Sequence, residues 1–418
     1  MLLIGAVALA VRVAYVVFVK RHDALVGDEP YFHLTANWLA EGFGFTAGPH
    51  SGIPSALHPP LYSLVLTPVS WLASGSALLA QRLAGAVLGT LTVVVIGYLG
   101  RAVARDRVGL VAAVLAAISP TLWVNDGILM SESLAALLVA VALLMAYRYA
   151  RMPTNANATW MGVVCGLAAL TRGELILLVP FVAIPMVVRG HRRDVRRRGV
   201  ALASVLIGTL LLIAPWAAYN ASRFARPVYV SSNLGGTLCG ANNRLTYSGS
   251  ELGLWDRSAC PVPGRRLADQ SVLDDFWTSR SITYAREHAS RLPVVAAVRL
   301  ARITGLYAPG QMVTFAENTG ARPRFASWLA YGTSLLLAPF AAYGLVLLRR
   351  RKLLVAPLVA MIGMVLMVAV LLHGDVRYRV PADVALVVLG AAGIDGVTTR
   401  RSRHDGDRSA ARRAPPEV

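Results

Sequence analysis

Residues 2–33 read LLIGAVALAVRVAYVVFVKRHDALVGDEPYFH and join an apolar segment to an adjacent pair of acids. The segment from Leu2 to Val19 has the length and the apolar character of a membrane-spanning helix. Asp28 and Glu29 follow shortly after its end, so such a helix places two carboxylates at the membrane surface. This stretch predicts a membrane protein whose early acids lie beside lipid headgroups.

The composition of the whole chain agrees with a membrane protein. The chain has 418 residues, of which 56% are hydrophobic and only 15% are charged, and its mean hydropathy is +0.56. These values lie outside the range of soluble domains. We predict an all-α polytopic membrane protein with about ten transmembrane helices, at residues 2–19, 78–99, 108–124, 130–148, 158–171, 174–189, 200–218, 326–348, 353–372 and 379–396.

Basic residues give the chain a net charge of +19. They do not form one face with aromatic or polar readers, so nucleic acid is not a predicted partner. They gather between the apolar segments, on alternate loops, as the positive-inside rule expects of cytoplasmic loops. The rule assigns to the cytoplasm the clusters at residues 101–107, 148–151, 189–198, 349–352 and 400–413.

The opposite, extracytoplasmic face then receives two large loops, residues 20–77 and 219–325. In the first, residues 31–40 and 59–72 carry apolar patterns that suit helices lying along the interface. The membrane domain is predicted to cover residues 1–399, followed by a basic disordered cytoplasmic tail at 400–418. The long loop contains Cys239 and Cys260, which can form a disulfide if that side is oxidising; the sequence leaves their pairing open.

The acids of the outer loops are the candidates for chemistry. Asp28 stands between Gly27 and Pro30 at a helix start, where an ionised carboxylate is favoured. It can act as a general base, or it can simply cap the helix. Asp126 and Glu132 form a second acidic position between the third and fourth spans, and Glu132 has the same two interpretations.

His58 begins the motif HPPLY, whose two prolines fix the direction of the chain at the interface. A histidine there can hold a phosphate group or ligate a metal ion. Glu132 is the other candidate metal ligand. A divalent metal ion is therefore a possible cofactor, although no ligand spacing identifies one.

Cations on the outer face oppose the positive-inside rule and require a reason. Arg377 and Arg379 flank Tyr378 before the last span, where they can bind an anionic ligand or anchor in the headgroup region. Arg172 lies at the tip of a short hairpin next to Glu174. It either pairs with that acid or serves a function, because charge at membrane depth is expensive.

Five motifs occur in a characteristic order: GDEPYFH (27–33), HPPLY (58–62), the acidic loop before the fourth span, TRGE (171–174) and RYRVP (377–381). Together they resemble the polytopic GT-C glycosyltransferases, in the branch that contains protein O-mannosyltransferases and the aminoarabinose transferases of lipid A. The resemblance implies a polyprenyl-phosphate sugar donor, reaction on the extracytoplasmic face, and an acid of the first outer loop as catalytic base.

Carried onto this chain, the resemblance makes Asp28 the base, with Glu29 as its neighbour, and makes residues 1–399 the catalytic domain. Asp126 or Glu132 corresponds to the second acidic motif. Arg377 and Arg379 are the candidates for contacts to the donor phosphate. The acceptor is left as a hydroxyl of a cell-envelope lipid, glycan or protein.

The chain uses arginine almost to the exclusion of lysine and is rich in alanine, valine and glycine, which suggests a GC-rich bacterial genome. The predicted location is therefore a bacterial plasma membrane. Two other classes remain open. A transporter or flippase of lipid-linked sugars would carry its charges near the midplane of the spans. A non-catalytic assembly partner would not need its outer acids.

Overall fold

A computed structural model describes residues 1–73, 77–261 and 269–413, with side chains as far as residue 399. No strand occurs in these ranges; the loop after the second helix has one isolated antiparallel bridge, between Thr46 and Pro54. The predicted all-α polytopic architecture is confirmed. Seven helical segments are long and apolar enough to cross a membrane, judged by length and composition.

The α-helices follow one another along the chain as α1 (Leu2–Tyr15), α2 (Glu29–Ala40), α3 (Leu61–Leu72), α4 (Ala77–Val103), α5 (Asp106–Ile118), α6 (Pro120–Trp123), α7 (Glu132–Arg151), α8 (Asn155–Ala169), α9 (Ile184–Gly190), α10 (Val195–Ala221), α11 (Leu234–Ala241), α12 (Arg244–Tyr247), α13 (Gln270–Glu287), α14 (Leu292–Ile303), α15 (Pro309–Gly320), α16 (Arg324–Arg350), α17 (Ala356–Leu371) and α18 (Val380–Arg413). Two π-helical turns, Val16–Lys20 and Val179–Ala183, and three 3₁₀ turns, Gly173–Leu177, Ala289–Arg291 and Val376–Arg379, complete the set.

All ten predicted spans coincide with helical segments. The seven long ones are α1 with its π-helical turn, α4, α7, the segment Gly173–Gly190, α10, α16 and the segment Val376–Thr399. The other three, α5, α8 and α17, are shorter helices of 13, 15 and 16 residues. The last turn of α5 lies beside α1, where Arg12 donates to the carbonyl oxygens of Ala116 and Ala117. The chain between α5 and α7 also runs beside α1, because Arg12 donates to Asp126 as well.

Three of the five basic clusters meet at one end of the bundle. Arg105 and Arg107 both contact Asp395 of α18, at 2.7 and 3.4 Å, and Arg151 of α7 donates to the carbonyl oxygen of Ala102. This convergence is what the alternation of basic loops predicts. Helix α18 then continues to Arg413 and so includes the first part of the tail, whose disorder stays a prediction. Residues 414–418 lie outside the described residues.

The two large loops lie at the other end. In the first, α2 and α3 pack against each other and against α4, close to the predicted positions of the two interfacial helices. The second contains the five helices α11 to α15. Cys239 of α11 and Cys260 form a disulfide, which closes one part of this loop.

Candidate active site

Asp28 lies at the start of α2, where the chain turns at Gly27. Gly27 has a φ of 64°, and a Cβ atom there would collide with the carbonyl oxygen of Thr319, so this turn requires glycine. Within the described structure, the Asp28 side chain makes no capping hydrogen bond to α2. Its carboxylate faces Arg377, with Oδ2 2.9 Å from Nη2, and His58, with Oδ1 3.6 Å from Nε2. The side chain is therefore directed toward the interior of a site and not toward its own helix.

Glu29 points elsewhere. Its carboxylate is fully buried and accepts hydrogen bonds from the backbone N–H groups of Val26 and Leu129, each at 3.0 Å. The guanidinium group of Arg82 lies 3.7 Å from it. Glu29 is predicted as a catalytic acid together with Asp28, but its carboxylate does not face the groups that the carboxylate of Asp28 faces. Glu29 ties the acidic turn to the loop that precedes α7.

Arg377 bridges two carboxylates that are far apart in the sequence. Its Nη2 donates to Asp28 at 2.9 Å and its Nε donates to Oε1 of Glu132 at 2.7 Å. Arg172 donates to the same oxygen of Glu132 at 2.9 Å and to Glu174 at 2.6 Å. These five residues form the acid–arginine cluster. The fold thus gathers four predicted site residues, from the first loop, α7, the short hairpin and the last span.

His58 borders the acid–arginine cluster on the side of Asp28. Its ring packs edge-on against Tyr31, with centroids 4.8 Å apart, and lies tilted on Phe32 at 5.0 Å. The prolines that follow it start α3, with Pro60 as the residue before the first turn. The predicted direction-fixing role of these prolines agrees with this packing, because the imidazole is held between α2 and α3.

The surroundings of Asp28 determine its ionisation. Burial alone would raise the pKa of Asp28, but His58 and Arg377 favour the carboxylate and lower that pKa to about 2. Burial lowers the pKa of His58, although the carboxylate of Asp28 acts in the opposite direction. At neutral pH the pair therefore consists of an ionised carboxylate and a neutral imidazole.

Asp126 does not join the acid–arginine cluster. Its carboxylate accepts from Nε of Arg12 and from the hydroxyl of Ser133, both at 2.7 Å, and all three side chains are buried. A Cβ atom on Gly89 of α4 would collide with this carboxylate, so glycine makes the approach possible. Arg12 lies near the middle of the membrane-spanning segment Leu2–Lys20, so Asp126 lies inside the bundle and not on the surface loop predicted from the sequence.

The motif RYRVP places its three polar residues in different surroundings, because the 3₁₀ turn that carries them spreads consecutive side chains. Arg377 belongs to the acid–arginine cluster. The Tyr378 ring lies under the guanidinium group of Arg172, 4.8 Å from its Cζ atom. Arg379 lies at the border of a cavity, and its described partners differ from those of Arg377 and Tyr378.

This cavity has a volume of about 250 Å³ and lies between α14, α16, α17 and α18. Its lining is mainly apolar and includes Ile362 and Leu386. At one side Arg379 pairs with Asp383 at 3.1 Å. A smaller cavity of about 50 Å³ shares these two residues and is also lined by Arg322. An apolar space bordered by cations suits a ligand with an anionic head and an apolar tail.

Sequence reasoning misses several polar residues near the site. Arg322 donates to Oδ1 of Asn125 at 2.6 Å, and it opposes the positive-inside rule just as Arg377 does, so the same signal was available for it. Arg12 and Arg82 are ionisable residues within spans, which usually marks a buried partner.

The candidate metal ligands are each occupied by other partners. Glu132 accepts from two arginines, and His58 faces Asp28 and two aromatic rings. Within the described parts of the chain no group of three or more His, Cys, Asp or Glu residues is arranged to hold a metal ion. Each carboxylate of the acid–arginine cluster is already bonded to an arginine, so these residues do not fit a divalent cation. The predicted metal requirement stays a prediction.

Comparison with known proteins gives one family match. Residues 57–219 match the family of dolichyl-phosphate-mannose-protein mannosyltransferases. This segment begins beside His58 and contains Glu132 and Arg172, but it ends before Arg377 and begins after Asp28. No curated protein sequence is significantly similar to this chain.

The fold is similar to that of solved membrane enzymes. The archaeal oligosaccharyltransferase AglB from Archaeoglobus fulgidus, in complex with an inhibitory peptide and a dolichol-phosphate, gives a TM-score of 0.57 at 16% identity, over 100% of this chain and 52% of AglB. The same enzyme tethered to an acceptor peptide gives 0.56 at 17% identity, over 96% of this chain and 50% of the other. ArnT from Cupriavidus metallidurans bound to undecaprenyl phosphate gives 0.44 at 17% identity, over 100% of this chain and 81% of ArnT.

At these identities the two matches above 0.5 show a shared fold. The chain spans about half the length of the archaeal oligosaccharyltransferase that it matches. The matched family is that of dolichyl-phosphate-mannose-protein mannosyltransferases, and the two structures with a TM-score above 0.5 are those of an oligosaccharyltransferase.

Proposed function

We propose that this chain is a GT-C glycosyltransferase, as its motifs predict and as its fold and matched segment support, and that it transfers a sugar from a polyprenyl-phosphate donor to a hydroxyl group of a cell-envelope acceptor. Asp28 takes the proton of the acceptor hydroxyl, whose oxygen attacks the anomeric carbon of the donor sugar. The bond between that carbon and the phosphate oxygen breaks, and polyprenyl phosphate leaves as an anion.

One observation carries the proposal: the Asp28 carboxylate contacts Arg377, from the other end of the chain, and makes no described bond to its own helix. Sugar transfer from a phosphate needs a base for the acceptor and a cation for the departing phosphate. The acid–arginine cluster holds both kinds of group within 3 Å of each other. His58 contacts the same carboxylate and helps to orient it.

The contact between Asp28 and Arg377 also bears on when the base acts. A carboxylate with a pKa of about 2 accepts protons poorly, because a general base works best with a pKa near the working pH. A donor phosphate competes with Asp28 for Arg377. As Arg377 turns to the phosphate, Asp28 loses its ion pair and its pKa rises, so donor binding prepares the base.

The apolar cavity supports a place for the polyprenyl tail. It lies between membrane helices and is bordered by Arg379, with Arg322 in the adjoining smaller cavity. Such a space accommodates a hydrocarbon chain while the arginines attract its phosphate. In this proposal Arg377 and Arg379 both face the phosphate, from opposite sides of the 3₁₀ turn.

The orientation of the site in the membrane is part of the same proposal. The acid–arginine cluster lies at the opposite end of the bundle from the basic loops, and positive loops favour the cytoplasm. The site therefore faces outward, in a bacterial plasma membrane. The disulfide in the long loop supports an oxidising surrounding for that end.

A transporter of lipid-linked sugars remains the alternative, and the ion pair between Arg12 and Asp126 is the feature that favours it, because transporters keep charges near the membrane midplane. That pair is enclosed, however. Asp126 accepts from Arg12 and Ser133, and Arg12 also donates to carbonyl oxygens of Ala8 and Ala117. A pair whose groups are bonded to protein on both sides stabilises the bundle.

The test is Asp28→Asn with Glu41→Gln as its matched control, since Glu41 is an exposed acid of the same loop. Purified protein, polyprenyl-phosphate mannose or arabinose labelled in the sugar, and envelope membranes lacking the endogenous protein provide the assay. We expect Asp28→Asn to lose about 10³-fold in transfer, as general bases contribute, while the protein remains folded in detergent. Wild-type transfer by Asp28→Asn would overturn the proposal. Mass spectrometry of copurifying lipid identifies the donor sugar.

A further inference from the structure

Three aromatic side chains lie in a row beside the acid–arginine cluster. The His373 ring meets the Tyr378 ring at right angles with centroids 4.9 Å apart, and the Trp255 ring lies tilted to His373 at 6.3 Å. Tyr378 is in turn covered by Arg172. Trp255, His373 and Tyr378 form the aromatic row. It connects the long outer loop to the residues that surround Asp28.

Two buried polar atoms next to this row lack a partner within the described structure. Nδ1 of His373 and Oε2 of Glu132 are inaccessible and make no hydrogen bond. Both residues are at least nine-tenths buried. Buried polar atoms are nearly always bonded, so two such atoms near one another call for a ligand that supplies the missing partners.

The aromatic row is held firmly in place. The Trp255 indole lies directly over Gly240 of α11, where any Cβ atom would collide with it. The N–H of Asp256 donates to the carbonyl oxygen of Gly240 at 2.9 Å, and the N–H of Gly374 donates to that of Gly253 at 3.1 Å. The disulfide between residues 239 and 260 closes the same segment. A surface fixed in this way is prepared for a rigid ligand.

We propose that the aromatic row is the subsite for the sugar ring of the donor, with Glu132 and His373 accepting or donating hydrogen bonds to its hydroxyl groups. This inference rests on the proposed function. A sugar ring presents hydroxyl groups at its rim and C–H groups on its faces. The faces pack on the electron-rich faces of aromatic rings, and the hydroxyl groups satisfy the two unpaired atoms.

The position of the row agrees with this role. Arg172 touches both Tyr378 and Glu132, and Arg377 touches both Glu132 and Asp28. A sugar on the row therefore lies next to Arg172 and Glu132, which connect the row through Arg377 to the proposed base. Trp255 and Tyr378 each keep part of their surface exposed, so the row is reachable from the outer side.

The test compares lipids that differ only in the sugar. Dissociation constants are measured in nanodiscs for polyprenyl phosphate, polyprenyl-phosphate mannose and polyprenyl-phosphate arabinose. The variants are Trp255→Ala, His373→Ala and the conservative Trp255→Phe. Tyr229→Ala, an exposed aromatic of the same outer loop, is the matched control.

We expect the wild-type protein to bind one of the sugar-bearing lipids more tightly than polyprenyl phosphate. Trp255→Ala and His373→Ala should weaken that binding by about tenfold and leave binding of polyprenyl phosphate unchanged, because they remove a ring contact or a hydrogen bond to the sugar alone. Trp255→Phe should retain most of the difference, and Tyr229→Ala all of it.

Three results would overturn the subsite: equal binding of all three lipids by the wild type, an undiminished preference in both alanine variants, or an equal loss for lipids with and without sugar. The last would show that the row only maintains the outer loop. None of these results touches the role of Asp28, because Asp28→Asn is read by transfer and should keep the wild-type preference in binding.

Discussion

The acid–arginine cluster and the pair of Arg12 with Asp126 use the same chemistry in opposite ways. Both join an arginine to a carboxylate from a distant part of the chain. Asp126 is fully bonded and buried, whereas the side chain of Asp28 is 34% exposed and Glu132 keeps one oxygen without a described partner. An ion pair that is closed on all sides holds helices together. One that has an open side can exchange its partner for a ligand.

The largest effect that separates the two is expected in stability. Arg12→Met leaves the Asp126 carboxylate buried without a cation, which should lower the free energy of unfolding by about 3–5 kcal/mol. Thermal unfolding in detergent measures it. Adding Asp126→Asn should recover part of the loss, since the buried charge is then removed. Unaltered unfolding of Arg12→Met would show that the pair is not structural.

The next effect is on catalysis. Arg377→Gln removes the cation proposed for the donor phosphate, so kcat/KM should fall about 100-fold, the usual loss for a group that stabilises transition-state charge. Its unfolding temperature should fall less than that of Arg12→Met, because Asp28 is partly solvated and Glu132 keeps its bond to Arg172. Arg324→Gln is the control, an exposed arginine of the outer face. A large loss of stability in Arg377→Gln would instead make the two ion pairs alike.

A smaller effect concerns pH. A carboxyl group with a lowered pKa stabilises the folded protein above its unfolded pKa, and this contribution is lost as the pH falls toward about 2, the pKa of Asp28. Without the positive charge of Arg377, the pKa of Asp28 should rise toward the ordinary value of about 3.9. In the pH profile of kcat/KM for Arg377→Gln, the acid limb should therefore move to higher pH. An unchanged limb would mean that Arg377 does not set this pKa.

The smallest effect is expected at Glu29. Glu29→Gln keeps the shape but replaces one oxygen by an amide, so one of the backbone N–H groups of Val26 and Leu129 loses its acceptor. The buried Arg82 guanidinium also loses the negative charge beside it, so the free energy of unfolding should fall by about 1–3 kcal/mol, with kcat/KM within a few-fold of the wild type. Chemical denaturation and the transfer assay measure the two quantities. A loss of transfer as large as that of Asp28→Asn would return Glu29 to the catalytic site.

The sequence predicts the fold and part of the site for identifiable reasons. The apolar segments predict ten spans; all ten coincide with helical segments, and seven of these are long and apolar enough to cross a membrane. Asp28, Glu132, Arg172 and Arg377 are separately noticeable because each carries a charge on the side predicted to be extracytoplasmic, and alternation of the loops brings them to one end. Motif order and topology together therefore predict most of the acid–arginine cluster.

The sequence does not show how deep in the membrane a residue lies or in which direction its side chain points. Asp126 and Glu132 occupy the same short stretch of sequence. Asp126 nevertheless pairs with Arg12 of α1, whereas Glu132 joins the acid–arginine cluster. Glu29 is adjacent to Asp28, but consecutive residues at a helix start point in different directions, and only Asp28 faces the cluster. Trp255 and His373 come from loops without a pattern, and their meeting depends on the packing of α11 and the turn before α18.

Arg377 reaches Asp28 from a position 349 residues later in the chain. Translation produces the acidic turn well before the segment that carries Arg377. A nascent polypeptide therefore carries the proposed base long before its partner arginine has been inserted. The contact between the two can form only after Arg377 has entered the bundle, so the proposed site is assembled late in biosynthesis.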